Sequence, residues 1–217
     1  MSLLDLLEPQ GPAGAAGPSG QIHGVVTGVV TNNQDPEKLG RVRVRFPWLS
    51  GSEESAWARV ASPMAGKERG LWTLPEVDDE VLVAFERGDP RFPYVLGALW
   101  NSKAPPPESN EGRKNDVRVL RSRSGHVVRL DDADGEERIE IVDGSGNNSI
   151  VISTRDDSIT VQADADVTIR STGGKLVLEG KGIELKSQDG VKVDAGKDLE
   201  LKAGAQVRVK GSTINLN

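Results

Sequence analysis

The chain has 217 residues, a formal net charge of −6, 36% apolar and only 4% aromatic residues, and no cysteine. This excludes a disulfide framework and a thiolate metal cluster. The acidic balance also argues against nucleic acid as the main partner, because phosphate binding needs a basic footprint. The thin apolar content is mostly Val, Leu and Ile, which suit strands, and no apolar run reaches the length of a membrane-spanning helix.

Residues 1–20 open with MSLLDLLE, where Ser2 and Asp5 have capping-box spacing beside Leu3, Leu4, Leu6 and Leu7. A short docking helix is expected there, followed by a Pro/Gly/Ala tether from residue 9 to residue 20. The start lacks the basic flank and apolar core of a signal peptide, so a route other than general secretion is expected. Residues 21–101 change to strands separated by turns. In RVRVRF, Arg41, Arg43 and Arg45 form one face and Val42, Val44 and Phe46 the other, the pattern of a half-buried strand. Further strands are expected at 57–61, 71–74, 81–85 and 94–99, the spacing of a small barrel. Residues 102–115 contain three consecutive prolines, Pro105 to Pro107, and read as a stiff, extended linker.

Residues 116–217 are a repeat. Apolar–polar–apolar triplets begin at Val128, Ile139, Ile150, Ile159, Val167, Leu176, Ile183, Val191, Leu199, Val207 and Ile214, with a spacing that settles to about eight residues. Gly, Asp, Ser and Asn fill most gaps. Hairpins are not expected, because the usual two-residue turns are missing. Stacking into a β-helix places the strands about 4.8 Å apart, and eleven steps then make a rod on the order of 50 Å long. Three octads per coil fit a single-chain solenoid; alternatively, three chains each supply one face of a triangular prism. The slimness of the repeat favours the trimer. Its expected core is Ile159, Val161, Val167, Ile169, Leu176, Leu178, Ile183, Leu185, Val191, Val193, Leu199, Leu201, Val207 and Val209.

Residues 24–101 carry several motifs in order: Asp35-Pro36 with Gly40-Arg41-Val42, Pro75-Glu76-Val77 with Asp79-Glu80-Val81, Gly88-Asp89-Pro90, and Tyr94-Val95-Leu96-Gly97. In these the segment resembles the oligonucleotide/oligosaccharide-binding (OB) barrel of phage baseplate spikes and of the VgrG proteins of type VI secretion. The resemblance implies an all-β homotrimer, an OB barrel followed by an intertwined triple-stranded β-helix, acting as the central spike of a contractile injection machine. It is similar to the short spike type, without the long hub region or an inserted lysozyme domain. A separate hub protein is then expected at the barrel end, with Leu3, Leu4, Leu6 and Leu7 as a hub contact. A PAAR-type tip protein is expected over Ile214, Asn215, Leu216 and Asn217, since a blunt end of unpaired strands invites a cap. The target membrane would be met only transiently, and the particle would be a phage tail or a phage-tail-like injector.

No catalytic site, cofactor or metal is expected. His23 and His126 lie about 100 residues apart with no cysteine to complete a ligand set. The acidic run Asp131, Asp132, Asp134, Glu136 and Glu137 reads as a solvated hairpin turn around Gly135. The arginine face at 41, 43 and 45 can pair with Glu or Asp on neighbouring strands or subunits, and it reads as a subunit or hub contact ahead of a phosphate stripe. Two other classes predict other features: a glycan- or receptor-binding tail protein needs exposed aromatics on the rod, where there are none, and a solenoid polysaccharide-degrading enzyme needs long loop insertions.

Overall fold

A computed structural model describes residues 20–49, 51 and 53–215. Leu3, Leu4, Leu6, Leu7 and most of the tether, and Leu216 and Asn217 at the other end, lie outside the described residues. Among the described residues the architecture is all-β, with one 3-10 turn at Glu86–Gly88. The chain divides into two units, Met1–Ala165 and Asp166–Asn217.

The first unit begins with a barrel. Strands β1 (Val25–Asn32), β2 (Arg43–Arg45), β3 (Arg59–Val60), β6 (Glu80–Phe85) and β7 (Pro93–Leu99) form one sheet in the order β2-β1-β6-β7-β3. All neighbours are antiparallel except β3 and β7. Paired backbone bonds between Val42 and Ala58, at 3.0 and 2.7 Å, join the two ends of that order and close the barrel. The period of two along β6 puts Val81, Val83 and Phe85 inside, against Val30, Val42, Val44, Phe46, Ala58 and Val95. The expected alternation in RVRVRF is thus realised. The expected strand at 71–74 is not: β4 (Ala65–Gly66) and β5 (Arg69–Gly70) make a small hairpin just before it, and Leu71 and Trp72 follow in irregular chain, largely exposed.

Residues 102–115 are turn-rich instead of extended. Asn101 Oδ1 accepts from the amides of Lys103 and Ala104, both at 2.9 Å, and Asn110 Oδ1 from that of Asn115 at 2.9 Å. Such side-chain-to-backbone bonds fold polar segments into turns, and here they lie on either side of Pro105 to Pro107.

Five strands follow: β8 (Val117–Arg121), β9 (Val127–Asp131), β10 (Arg138–Val142), β11 (Ser149–Ser153) and β12 (Ser158–Gln162). They pair consecutively and antiparallel as a meander. This corrects the expectation of stacked octads from residue 116. Hairpins do form across 117–162, through loops of four to six residues that their own side chains organise. The acidic run is such a loop, with Gly135 at φ 74°.

The second unit differs. Among its described residues there is no strand and no backbone-to-backbone hydrogen bond. Local bonds mark the turns, as where Ser187 Oγ accepts from the Gly190 amide at 3.0 Å.

Candidate assembly site

The two faces of the β8–β12 sheet have opposite chemistry, and the strand registers show why. Leu120 pairs with Val128, Val128 with Ile141, Ile141 with Ile150 and Ile150 with Val161. Beside this row runs a second, in which Leu130 pairs with Ile139, Ile139 with Ile152 and Ile152 with Ile159. The result is two unbroken apolar ladders on one face, and each of these nine side chains is exposed in the isolated chain. Cross-strand apolar pairs stabilise a sheet, but an apolar face this continuous is uncommon on a protein that works alone.

The opposite face carries charge. Arg129 reaches Glu108 of the preceding segment at 2.9 Å, and Arg138 lies 2.9 Å from Glu140. Asp131, buried, lies 3.5 Å from Arg138 and 3.8 Å from Arg129. Around Arg129, Asp131 and Arg138 this face is internally paired and partly covered by the preceding segment, whereas at β12 Ser158, Thr160 and Gln162 are exposed.

At one margin of the sheet the turns are tied together. The Gly144 amide donates to Nδ1 of His126 at 2.9 Å, so that ring nitrogen is unprotonated in this arrangement. Asn148 Oδ1 accepts from the Asp164 amide at 3.0 Å, and Asn148 Nδ2 donates to Asp143 at 2.8 Å. The Asn148 and Ser145 donors, with nearby backbone amides, hold the Asp143 carboxyl down at about 2.

Of the expected core positions, Ile159 and Val161 close the two ladders on β12. The remainder, Val167, Ile169, Leu176, Leu178, Ile183, Leu185, Val191, Val193, Leu199, Leu201, Val207 and Val209, lie in the second unit and are 55% to 74% exposed. Ile214 and Asn215 are exposed as well. Covering what remains exposed of one such aliphatic side chain would return about 1–2 kcal/mol. The core set inferred from periodicity omitted Leu120, Val128, Leu130, Ile139, Ile141, Ile150 and Ile152. Six of these belong to triplets visible in the sequence. Leu120 follows Val119 directly, and that broken alternation hides β8.

The barrel motifs are turn devices. Asp35 accepts from the amides of Glu37, Leu39 and Arg41 and pairs with the Arg41 guanidinium at 2.7 Å. Asp79 accepts from the Glu76 amide at 2.8 Å, and Asp89 pairs with Arg91 at 2.6 Å. Arg43 pairs with Glu54 at 3.1 Å and lies over the Trp57 ring at 5.0 Å. Two of the three arginines on β2 and its approach are thus engaged within their own barrel, the pairing with neighbouring carboxylates that the sequence also allowed beside a subunit or hub contact.

Residues 26–100 match the type VI secretion system/phage-baseplate injector OB domain. The chain is 29% identical over 145 residues to the type VI secretion system spike protein VgrG3 of Vibrio cholerae, a match covering 63% of this chain and 14% of that protein. It is 36% identical over 124 residues to the spike protein VgrG5 of Pseudomonas aeruginosa, covering 53% and 16%. With VgrG4b of the same organism it is 35% identical over 136 residues, covering 56% and 17%. The chain therefore spans less than a fifth of the length of these relatives. Residues 26–100 are an injector OB domain, and the chain that carries them is similar, over more than half its length, to VgrG spike proteins of type VI secretion.

Proposed function

We propose that this chain is the central spike of a contractile injection machine, a non-catalytic homotrimer whose three copies close around the exposed apolar positions. The observation that carries the reading is the second unit: a stretch with apolar triplets at octad spacing and, among its described residues, no backbone pairing of its own. Amides and carbonyls left without a ladder are a template for pairing with another chain. Three copies, each contributing one short strand per layer, give every copy both its ladder and its core. The apolar ladders of β8–β12 offer three copies a further face of the same chemistry.

In this reading the barrel end is held by a hub protein, and a small conical tip protein of the PAAR type covers Ile214, Asn215, Leu216 and Asn217. Sheath contraction drives the needle through the target envelope. Function then rests on stiffness and slow unfolding, because force applied along the rod is resisted by every layer of the ladder.

Light scattering on the purified chain tests this. A mass near three times 23.2 kDa that persists in detergent without heating is the expected outcome. A folded monomer would remove the proposal.

A further inference from the structure

The barrel has a surface feature that spike assembly leaves unassigned. A groove of about 500 Å³ runs between the loop after β1 and the β4–β5 hairpin, and its apolar walls include Leu39, Met64, Leu71 and Trp72. Trp72 is 74% and Leu39 66% exposed, and Met64 and Leu71 are about half exposed. The groove is braced from below. The Leu71 amide donates to Met64 O at 3.0 Å, and Ser62 Oγ lies 3.0 Å from Met64 O and 2.8 Å from Leu71 O. Gly40, at φ +72°, lets the Trp72 ring lie 2.9 Å from where a Cβ would stand. A pre-formed apolar groove with an aromatic wall binds without first being ordered.

Its rim is basic. Lys38 follows the loop carboxylates, and Lys67 and Arg69 flank Glu68 on the hairpin. Glu37 is already paired with Arg41 at 3.0 Å. The matching sequence lies in the same polypeptide: in MSLLDLLE, helical spacing places Leu3, Leu4, Leu6 and Leu7 on one side and Asp5 and Glu8 on the other. The twelve residues from 9 to 20 span up to about 40 Å when extended, about twice the width of a five-stranded sheet at roughly 4.8 Å per strand.

We propose that the groove receives the N-terminal leucine segment of this polypeptide, its leucines on Trp72, Leu71, Met64 and Leu39 and its carboxylates toward Lys67 and Arg69. The tether is what makes so short a segment sufficient. A flexible link of this length supplies an effective concentration in the millimolar range, so a contact too weak to hold a free peptide is still populated. The same leucines were expected to meet a hub, and the proposal gives them a site on the spike itself.

Hydrogen exchange on the full-length protein tests this against a variant with Leu3→Ser, Leu6→Ser and Leu7→Ser. Exchange across residues 64–72 is expected to be about fivefold slower in the unaltered protein, the size of effect a weak tethered contact gives. A Lys67→Glu, Arg69→Glu variant should lie between the two, and β6 amides should be unchanged in all three. Equal exchange in the leucine and serine forms overturns the proposal. If the groove is open in both, the leucines bind elsewhere, as on a hub; if it is shielded in both, a second copy or another surface covers it.

Discussion

The Asp35 carboxylate grips the Arg41 guanidinium through both oxygens, Oδ1 at 2.7 Å from Nη2 and Oδ2 at 2.9 Å from Nε. Its Oδ2 also accepts the Leu39 amide at 2.9 Å. One side chain therefore sets the course of the loop that leads from β1 into β2. The Arg41 contact holds the Asp35 carboxyl well below the usual carboxylate range. A carboxyl depressed in the folded state contributes stability that is complete above its unfolded value, about 3.9, and is lost only as pH falls toward the lower folded value. Asp35→Asn should lower the melting temperature at pH 7 by several degrees and speed exchange of the Leu39 amide, with much less difference from the parent in strong acid. Identical melts at pH 7 would show that the loop holds without the charge.

Asp143 offers a more local titration. Its carboxyl sits at about 2 because Asn148 and Ser145 donate to it. Its contribution is complete above about 3.9 and disappears as pH falls through about 2. Asn148→Ala removes the largest of these donors and the acceptor for the Asp164 amide. The Asp143 midpoint, followed by carboxyl carbon NMR, should move up toward the ordinary range. A midpoint that stays put would assign the depression to Ser145 and the backbone.

Gly144 is where two turns meet. A Cβ there would lie 2.4 Å from Ser124 O, a backbone atom that cannot swing aside. Gly144→Ala should cost about 1–3 kcal/mol, the range for overpacking. Loss of the bond to His126 Nδ1 should also shift the His126 ring resonances. Unchanged melting and unchanged resonances would mean that the turns separate freely.

The apolar ladders can be tested one side chain at a time. Ile141 stands between Val128 and Ile150, and it is 49% exposed in the single chain. Ile141→Asp should leave strand pairing within the meander intact while placing a charge in the face that the proposed trimer covers. On that proposal, the mass is expected to fall from about three chains to one. Thr160→Asp, on the other face of β12, should keep the parent mass. A trimer that tolerates both substitutions would show that the ladders stay wet.

The parts of the fold legible in advance were those where side-chain period and burial coincide. RVRVRF alternates strictly, and its Val42, Val44 and Phe46 face became barrel core. The octads were visible by period alone, since their side chains are exposed in the single chain. The meander was not foreseen as hairpins because its turns use four to six residues held by Asp, Ser and Asn side chains, and one has Asp157 at φ 48°. Composition shows that such residues favour turns, but it does not show which way the chain leaves them. The 71–74 segment reads as strand because Leu, Trp and Leu suit strands, yet Trp72 lies against Gly40 at the surface. In the linker, Asn101 and Asn110 make turns on either side of the prolines, which composition alone did not place.

The two exposed ladders on β8–β12 also bear on how the molecule is made. On the trimer proposed above, a newly synthesised copy displays the same rows of isoleucine and valine before it has met its fellows, and those rows do not discriminate among greasy surfaces. Encounter between copies becomes more frequent with the square of their abundance, whereas capture by unrelated hydrophobic matter does not slow when copies are scarce. Translation of many copies from one transcript in one place therefore favours the proper outcome, and sparse, scattered production favours loss.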